Sequence, residues 1–271
     1  MKIIELHDIS APELEPYFLL TERSLRREDL IIAESPKVIR TALDAGLTPV
    51  SMLCERKHIE GDAAGIIADY PELPVFTGER NMLANLTGYT LTRGVLCAMK
   101  RPAEPSAVQL LKDARRICVI YDICDTTNVG AIFRTAAALG FDGVLLSPES
   151  CDPYNRRSIR VSMGAVFRIP WCYESDITGI LRHYGFQSVS MALSSESVYL
   201  QDFTVEPQGK YGIIFGSEGY GLPQSVIDSS DTVVKIPMFH GVDSLNVGAA
   251  AAITLWHFIQ QPNQATPPFS E

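Results

Sequence analysis

The second half of the chain alternates between short apolar runs and helical patterns, and this alternation limits its possible folds. Ile117–Asp122 (ICVIYD) is apolar almost throughout, which is typical of a parallel strand buried on both faces. Further strand patterns lie at Gly143–Leu146, Ser188–Ala192, Tyr211–Phe215 and Thr232–Ile236. Helical patterns lie at Val129–Leu139, Ile177–Tyr184 and Ser244–Phe258. The order predicts an α/β domain with a largely parallel sheet.

Residues 1–103 also alternate between short helical and strand-like patterns. Ser35–Ala45 predicts an amphipathic helix, with Ser35 as its cap, Pro36 at its first position and Gly46 beyond its end. Strand candidates lie at Val50–Cys54, Val75–Thr77 and Gly94–Met99. Two prolines in Arg101–Ser106 interrupt both periodicities. We therefore expect a smaller domain at 1–103, a linker at 104–115, a larger domain at 116–260 and a flexible tail at 261–271.

Composition and charge narrow the function classes. The chain has 271 residues, of which 46% are apolar, and it lacks both a long uncharged apolar run and a secretion signal. We therefore expect a cytoplasmic protein that does not enter a membrane. The six cysteines form no CxxC pair, so we expect reduced thiols and no metal site. The net charge of −9 excludes a broadly basic nucleic-acid-coating surface but not a local basic patch.

The segment Asn128–Arg134 (NVGAIFR) opens a helix that is otherwise almost wholly apolar. Asn128 is a plausible N-cap, and Arg134 is the only charged residue of the helix. A guanidinium in such a helix either reaches solvent or meets an anion at the end of the sheet. The alternative is a structural arginine held in a salt bridge. Gly130 lies one turn before Arg134 and leaves that face open to a ligand or to backbone.

Two later segments also follow strand patterns and carry a few polar residues. Phe215–Pro223 (FGSEGYGLP) contains three glycines, which permit a tight loop, and Glu218, which is suited to orienting Arg134 or a ribose hydroxyl. The alternative is a simple turn. In Ile236–Trp256, Ser244 is a candidate helix cap, while Asn246 is expected one turn inside an apolar helix and therefore needs partners.

Two basic segments are candidate RNA contacts. In Asp152–Pro170 the arginines Arg156, Arg157 and Arg160 either contact RNA phosphates or belong to a helix-to-strand junction. Arg168 is placed in the same patch, and a second patch contains Arg23, Arg26 and Arg27. Ordinary solvated charges are the alternative for both.

Together these segments, in this order and spacing, resemble the SpoU (TrmH-like) family of S-adenosylmethionine-dependent RNA ribose methyltransferases. The resemblance covers roughly Ile117–Phe258. It implies a knotted (trefoil) methyltransferase domain, which pattern reasoning alone would not propose because knots are rare. It also implies a homodimer, and an N-terminal domain similar to ribosomal-protein-like RNA-binding domains.

The resemblance also assigns roles to individual residues. It places the catalytic group at Arg134, Asn128, Glu218, Ser244 and Asn246. It places backbone contacts to S-adenosylmethionine at Gly216, Ile236 and Leu245. One departure is Gly248, where relatives often carry serine. The implied reaction is methyl transfer to a ribose 2′-hydroxyl without a metal, with Arg134 as an electrostatic clamp because a guanidinium stays protonated up to about pH 12.

Three functions remain open at this point. An N-terminal RNA-binding domain favours rRNA as the substrate, since tRNA-acting relatives commonly lack one. tRNA ribose methylation is the second enzyme hypothesis. A non-catalytic RNA-binding or ribosome-assembly factor is the third, and the intact Arg134, Glu218 and Asn246 disfavour it. A nicotinamide-dependent oxidoreductase is disfavoured because no glycine fingerprint follows Ile117–Asp122.

Overall fold

The chain folds into two compact units. The computed structural model describes residues 2–18, 29–91, 94–194 and 196–259. One unit combines Met1–Ala103 with Asp152–Arg168, and the other combines Glu104–Cys151 with Ile169–Glu271. The proposed basic patch at Arg23, Arg26 and Arg27 and the predicted tail at 261–271 lie outside the described residues.

The first unit is built on a five-stranded mixed sheet. Its strands are β1 (Lys2–Glu5), β2 (Leu30–Glu34), β3 (Pro49–Glu55), β4 (Pro74–Gly78) and β5 (Val95–Lys100). Their order is β1-β4-β3-β5-β2, in which β5 runs antiparallel to both of its neighbours. Its helices are α1 (Pro36–Asp44), α2 (Ala64–Asp69), α3 (Arg80–Thr87) and α6 (Arg156–Val161). The predicted helix with a Ser35 cap is confirmed, since the Ser35 hydroxyl accepts a bond from the Val38 amide.

A buried tyrosine organises the core of this unit. Tyr17 is fully buried among leucine side chains that include Leu14, Leu53 and Leu96. Its hydroxyl lies 2.9 Å from the Ser51 hydroxyl and accepts a 3.3 Å bond from the Ala98 amide. The ring therefore fills the core while its polar end stays satisfied, as burial of a phenol requires.

The second unit contains a seven-stranded sheet in which every pairing is parallel. The order is β10-β12-β9-β11-β6-β7-β8. The strands are β6 (Arg116–Ile120), β7 (Gly143–Leu146), β8 (Trp171–Tyr173), β9 (Gln187–Met191), β10 (Val198–Tyr199), β11 (Tyr211–Phe215) and β12 (Thr232–Lys235). The helices are α4 (Ala107–Leu111), α5 (Thr126–Ala138), α7 (Ile177–His183), α8 (Gln224–Ser229) and α9 (Val247–Ile259). The predicted α/β fold with a mostly parallel sheet is confirmed.

Two stretches differ from the predicted organisation. The stretch expected to be a linker, 104–115, contains α4, which begins with a capping box between Ser106 and Gln109. Leu110 and Leu111 of this helix are buried in the core of the second unit beside Ile117. The segment Asp152–Arg168 groups with the first unit although it lies between β7 and β8 in sequence. The functional boundaries of the domains stay a prediction.

Helices α5 and α9 pack directly against each other. A β-carbon added at Gly248 of α9 would lie 3.2 Å from the Ala131 side chain of α5. The serine expected from the family at position 248 would crowd this contact, and glycine permits the close approach. Within the described ranges, no helix is long and apolar enough to span a bilayer.

The burial of each cysteine predicts which thiols of the native protein react with a thiol-specific reagent. Burial raises the pKa of Cys54 and Cys172 to about 12, and it raises the pKa of Cys97 and Cys118 as well. A thiol reacts as its thiolate. In the native protein at pH 8, we therefore expect the exposed Cys124 to react quickly with a thiol-specific disulfide reagent and the half-buried Cys151 more slowly. The other four should react only after unfolding. Fast reaction of a buried thiol in native protein would contradict the described packing.

Candidate active site

Three loops of the second unit meet at the carboxyl edge of its parallel sheet. Strands β6 and β11 are neighbours, and the loops that follow them carry Asn128 and Glu218. The loop after β12 leads to Asn246. Because parallel strands all end at the same edge, residues distant in sequence converge there, as ligand sites in α/β sheets commonly do.

Asn246 joins the three loops through its side-chain amide. Its Nδ2 donates one hydrogen bond to Asn128 Oδ1 at 2.9 Å and another to Glu218 Oε1 at 2.5 Å. Its Oδ1 accepts bonds from the backbone amides of Gly248 at 3.0 Å and Ala249 at 3.4 Å. Both amide hydrogens and both acceptor positions of the side chain are therefore used.

The structure corrects the expected position of Asn246. The last helix was expected to begin at Ser244, with Asn246 one turn inside it; instead the helix begins at Val247 and Asn246 caps it. The expectation failed because asparagine and serine are both good caps, and the pattern SLNV offers both. Ser244 is exposed and lies in the preceding loop, where it lines a cavity.

Asn128 does not cap α5 as expected but is the third residue of this helix. The residue that caps α5 is Asp125, whose Oδ1 accepts the backbone amides of Thr127 at 2.7 Å and Asn128 at 3.0 Å. Asn128 therefore lies inside the first turn and is buried, with 7% of its surface exposed. Sequence reasoning missed Asp125, although aspartate just before a helix is among the preferred caps.

The loop that carries Glu218 is a closed turn. The Gly221 amide donates to the Ser217 carbonyl at 2.9 Å, and Gly221 has a φ of +65°. A β-carbon added at Gly216 would lie 2.5 Å from the Gly221 carbonyl carbon. Only glycine therefore fits at position 216, so the first glycine of the motif is required by the close approach of two backbone segments.

Two cavities lie on either side of this turn. The first has a volume of about 350 Å³, and the predicted cofactor residues Gly216, Ile236 and Leu245 all line it. Glu218 and Ser244 line it as well. Most of its remaining surface is apolar, with side chains such as Met191, Leu193 and Met238. Its size and lining are those of a small-molecule site.

The second cavity has a volume of about 520 Å³ and lies on the Asn128 side of the turn. Asp122, Asp125 and Glu218 are among the residues that line it, although most of its surface is apolar. Glu218 borders both cavities and accepts a hydrogen bond from Asn246. In the part of the chain that the structure describes, no group of three His, Cys, Asp or Glu side chains is arranged to hold a metal ion.

Arg134 lies apart from the hydrogen-bonded cluster. It is exposed on α5 and lines neither cavity. Among the described residues it has no hydrogen bond or ion pair, so the structure gives no support to the alternative of a salt-bridged structural arginine. Its guanidinium remains available to an anion.

The three candidate RNA-binding arginines lie in the first unit, on α6. Arg156 Nη1 and Arg160 Nη1 lie 3.5 and 3.8 Å from Oε2 of Glu34, which is 2% exposed. The Arg156 guanidinium also covers the Tyr89 ring at 4.5 Å, and burial raises the pKa of that phenol to about 12. These contacts favour a structural role for Arg156 and Arg160. Arg157 is exposed, and RNA binding by all three stays a prediction.

Comparison with known proteins identifies the family. Residues 115–256 match the model of the SpoU rRNA Methylase family. A Mycobacterium bovis protein described as an uncharacterized tRNA/rRNA methyltransferase is 33% identical over 84% of this chain and 80% of its own length. The 23S rRNA guanosine 2′-O-methyltransferase RlmP of Bacillus subtilis is 29% identical over 62% of this chain and 71% of its own length.

Solved structures show the same fold. An AdoMet-bound rRNA methyltransferase from Sinorhizobium meliloti superposes with a TM-score of 0.79 at 24% identity, covering 94% of this chain and 97% of that one. The AdoMet complex of the SpoU methyltransferase AviRb from Streptomyces viridochromogenes gives a TM-score of 0.76 at 20% identity, covering 91% and 96%. The chain thus has the fold of these methyltransferase structures. The chain belongs to the SpoU family.

Replacing Asn246 separates its two contributions. Asn246→Ser keeps a capping hydroxyl but loses the donors that bridge Asn128 and Glu218, so we expect near-normal stability and a loss of methyl transfer of at least about tenfold. Asn246→Ala also loses the cap, which costs about 1 kcal/mol of unfolding free energy. Urea unfolding and a methyl-transfer assay measure the two effects. Equal activity of Asn246→Ser and wild type would show that the bridge is dispensable.

Proposed function

We propose that this protein transfers a methyl group from S-adenosylmethionine to a ribose 2′-hydroxyl of ribosomal RNA. The single observation that carries the proposal is the cluster of Asn128, Glu218 and Asn246, which joins three motif loops between two cavities. Membership of the SpoU family supports the reaction. The relatives RlmP and RlmB, which are named as 23S rRNA 2′-O-methyltransferases, support the substrate.

The first cavity fits the cofactor. Its apolar side chains suit an adenine ring and the aliphatic part of a methionine chain, and its glycine-rich turn brings backbone groups to the surface. We assign Gly216, Ile236 and Leu245 to holding S-adenosylmethionine through their backbone, and Ser244 to the rim of the same cavity. When bound, the cofactor supplies an electrophilic methyl group on a sulfonium sulfur.

The cluster leaves two polar groups for the acceptor nucleotide. Asn128 Nδ2 and Glu218 Oε2 have no hydrogen-bond partner among the residues that the structure describes. We propose that the Glu218 carboxylate accepts a hydrogen bond from a ribose hydroxyl. We propose that Asn128 Nδ2 donates a hydrogen bond to the ribose. Because Asn246 fixes both side chains, they are oriented before the RNA arrives, which lowers the entropic cost of alignment.

Arg134 supplies positive charge. As the ribose oxygen is methylated, the hydroxyl passes its proton to solvent water and negative charge develops on the oxygen. A guanidinium does not lose its proton near neutral pH and so cannot act as a base. We therefore assign Arg134 to stabilising this negative charge and the adjacent phosphate. Its exposed position without an internal partner supports such a contact with RNA. We propose Arg157 of the first unit as a further phosphate contact, and Arg156 and Arg160 as residues that add positive charge beside it.

Other expectations from the family belong to the same proposal. We propose that 1–103 binds the RNA, that the second unit is knotted, and that the protein works in the cytoplasm. The return of the last helix, α9, to pack against α5 supports the knot, and six free cysteines support a reducing compartment. tRNA is the second candidate substrate, because some relatives are named as tRNA/rRNA methyltransferases.

We propose that the active form is a homodimer joined through α9. One face of this helix is buried through Ala251, Leu255 and Phe258. The opposite face is also apolar, with Ile253 and Trp256 exposed at 45% and 52%. A helix that is apolar on both faces normally has partners on both.

The methylation reaction has a direct test. Deleting the gene should abolish ribose methylation at one or a few positions, which can be mapped across rRNA and tRNA. Wild type should restore the lost sites, and Arg134→Ala should not, because the developing oxyanion is no longer stabilised. Arg182→Ala is the control, since it removes a surface arginine of the same unit whose hydrogen bond among the described residues is to the Ser229 carbonyl. Loss of a tRNA site alone would favour the second substrate, and full restoration by Arg134→Ala would refute the catalytic assignment.

The dimer has a separate test. Trp256→Glu places a charge on the exposed apolar face of α9 without disturbing its buried face, so we expect dissociation to monomers in light-scattering chromatography. Val108→Glu, at an exposed apolar position of α4, is the matched control and should remain dimeric. A monomeric wild-type protein would remove this part of the proposal.

A further inference from the structure

Tyr220 is the most exposed large hydrophobic side chain among the described residues. It is 98% exposed, and it lies between Gly219 and Gly221 in the turn that carries Glu218. A phenol ring in this position contributes nothing to packing. The ring also makes no hydrogen bond or ring contact with any described residue.

The turn holds this ring close to the reacting groups. The bond from the Gly221 amide to the Ser217 carbonyl closes the turn, and the bonds of Glu218 to Asn246 and to the Val247 amide fix its first half. Tyr220 follows Glu218 by two residues within the closed loop. The exposed ring is therefore carried on a constrained backbone beside the cluster.

Tyr220 borders both cavities. It lines the first cavity, which contains the proposed cofactor residues, and the second cavity on the Asn128 side. The residues that line the second cavity include Asp122, Asp125 and Glu218, and Glu218 Oε2 has no hydrogen-bond partner among the described residues. A carboxylate oxygen of this kind repels phosphate and accepts hydrogen bonds from hydroxyl and N–H groups. It suits the ribose and the base of a nucleotide turned away from its backbone.

We infer that Tyr220 is a stacking platform for the base of the nucleotide that is methylated. This inference rests on the proposed function and names a contact within the same site. The ribose is held by Glu218 and Asn128, and the base attached to it reaches the solvent-exposed ring of Tyr220, which follows Glu218 by two residues in the same turn. An exposed aromatic ring binds any base through its face, so Tyr220 contributes affinity and alignment, while the hydrogen-bonding groups of the cavity read the base.

Kinetics on unmodified rRNA test the inference. The substrate is ribosomal RNA transcribed in vitro, and the variants are Tyr220→Phe, Tyr220→Leu and Tyr220→Ala. We expect Tyr220→Phe to match wild type, because the ring does the stacking. Tyr220→Leu and Tyr220→Ala should raise the KM for RNA by about tenfold to a hundredfold. The Kd for S-adenosylmethionine should stay unchanged in all three.

A matched control and a second readout separate stacking from a structural effect. Tyr199→Ala removes another exposed tyrosine of the same unit, 45% exposed on β10, and should leave the KM for RNA unchanged. Cys124 is exposed and lines the second cavity, so bound RNA should slow its alkylation in wild type. At the same RNA concentration, Tyr220→Ala should lose this protection while its thiol reacts normally without RNA.

Each other outcome of these experiments would refute a specific part of the proposal. A wild-type KM in Tyr220→Ala would refute stacking. A weaker Kd for S-adenosylmethionine would show that the ring covers the cofactor instead, and a change in oligomeric state would show that it is a subunit contact. If wild type methylates no RNA, the proposed function itself fails, and the inference fails with it. If wild type is active and only the Tyr220 variants behave unexpectedly, the proposed function stands alone.

Discussion

The hydrogen bonds of one asparagine amide hold the active-site region together. Asn246 caps the last helix with its oxygen and bridges Asn128 and Glu218 with its nitrogen. No other side chain of similar length offers two donors and an acceptor in this geometry, because aspartate lacks the donors and serine lacks the reach. The positions of both cavities depend on this arrangement, because the turn between them is fixed through Glu218.

The identity of the clustered residues could be predicted from the sequence, but their local geometry could not. The resemblance to the SpoU family placed Asn128, Glu218 and Asn246 in one site, and the convergence of parallel strands at one edge of the sheet explains why these three residues meet. Their helix positions were wrong because several residues near each helix start are good caps. Asp125 takes the cap of α5. At the start of α9, Asn246 displaces Ser244 because only its amide also reaches the other two loops.

In the fold as well, local sequence patterns predicted the strands, whereas the grouping of segments into units depends on tertiary contacts. Strands such as Tyr211–Phe215 were predicted correctly because both of their faces are buried and their sequences are apolar throughout. The place of Asp152–Arg168 was not predictable. Its grouping with the first unit involves the ion pairs of Arg156 and Arg160 with the buried Glu34, more than a hundred residues away in sequence. A buried carboxylate needs nearby positive charge, yet nothing in a local pattern says which arginine supplies it.

The site also accounts for the acidity of a chain that acts on RNA. A net charge of −9 does not favour binding through many phosphates, since that mode requires a basic surface. In the proposed site the Glu218 carboxylate instead suits a hydroxyl group of the ribose, and the exposed Tyr220 ring offers the base an uncharged stacking surface. In the proposed mechanism Arg134, which is exposed on α5, supplies the positive charge that the reacting oxygen needs. Recognition of this kind depends on few phosphate contacts, so its affinity falls only gently as salt rises.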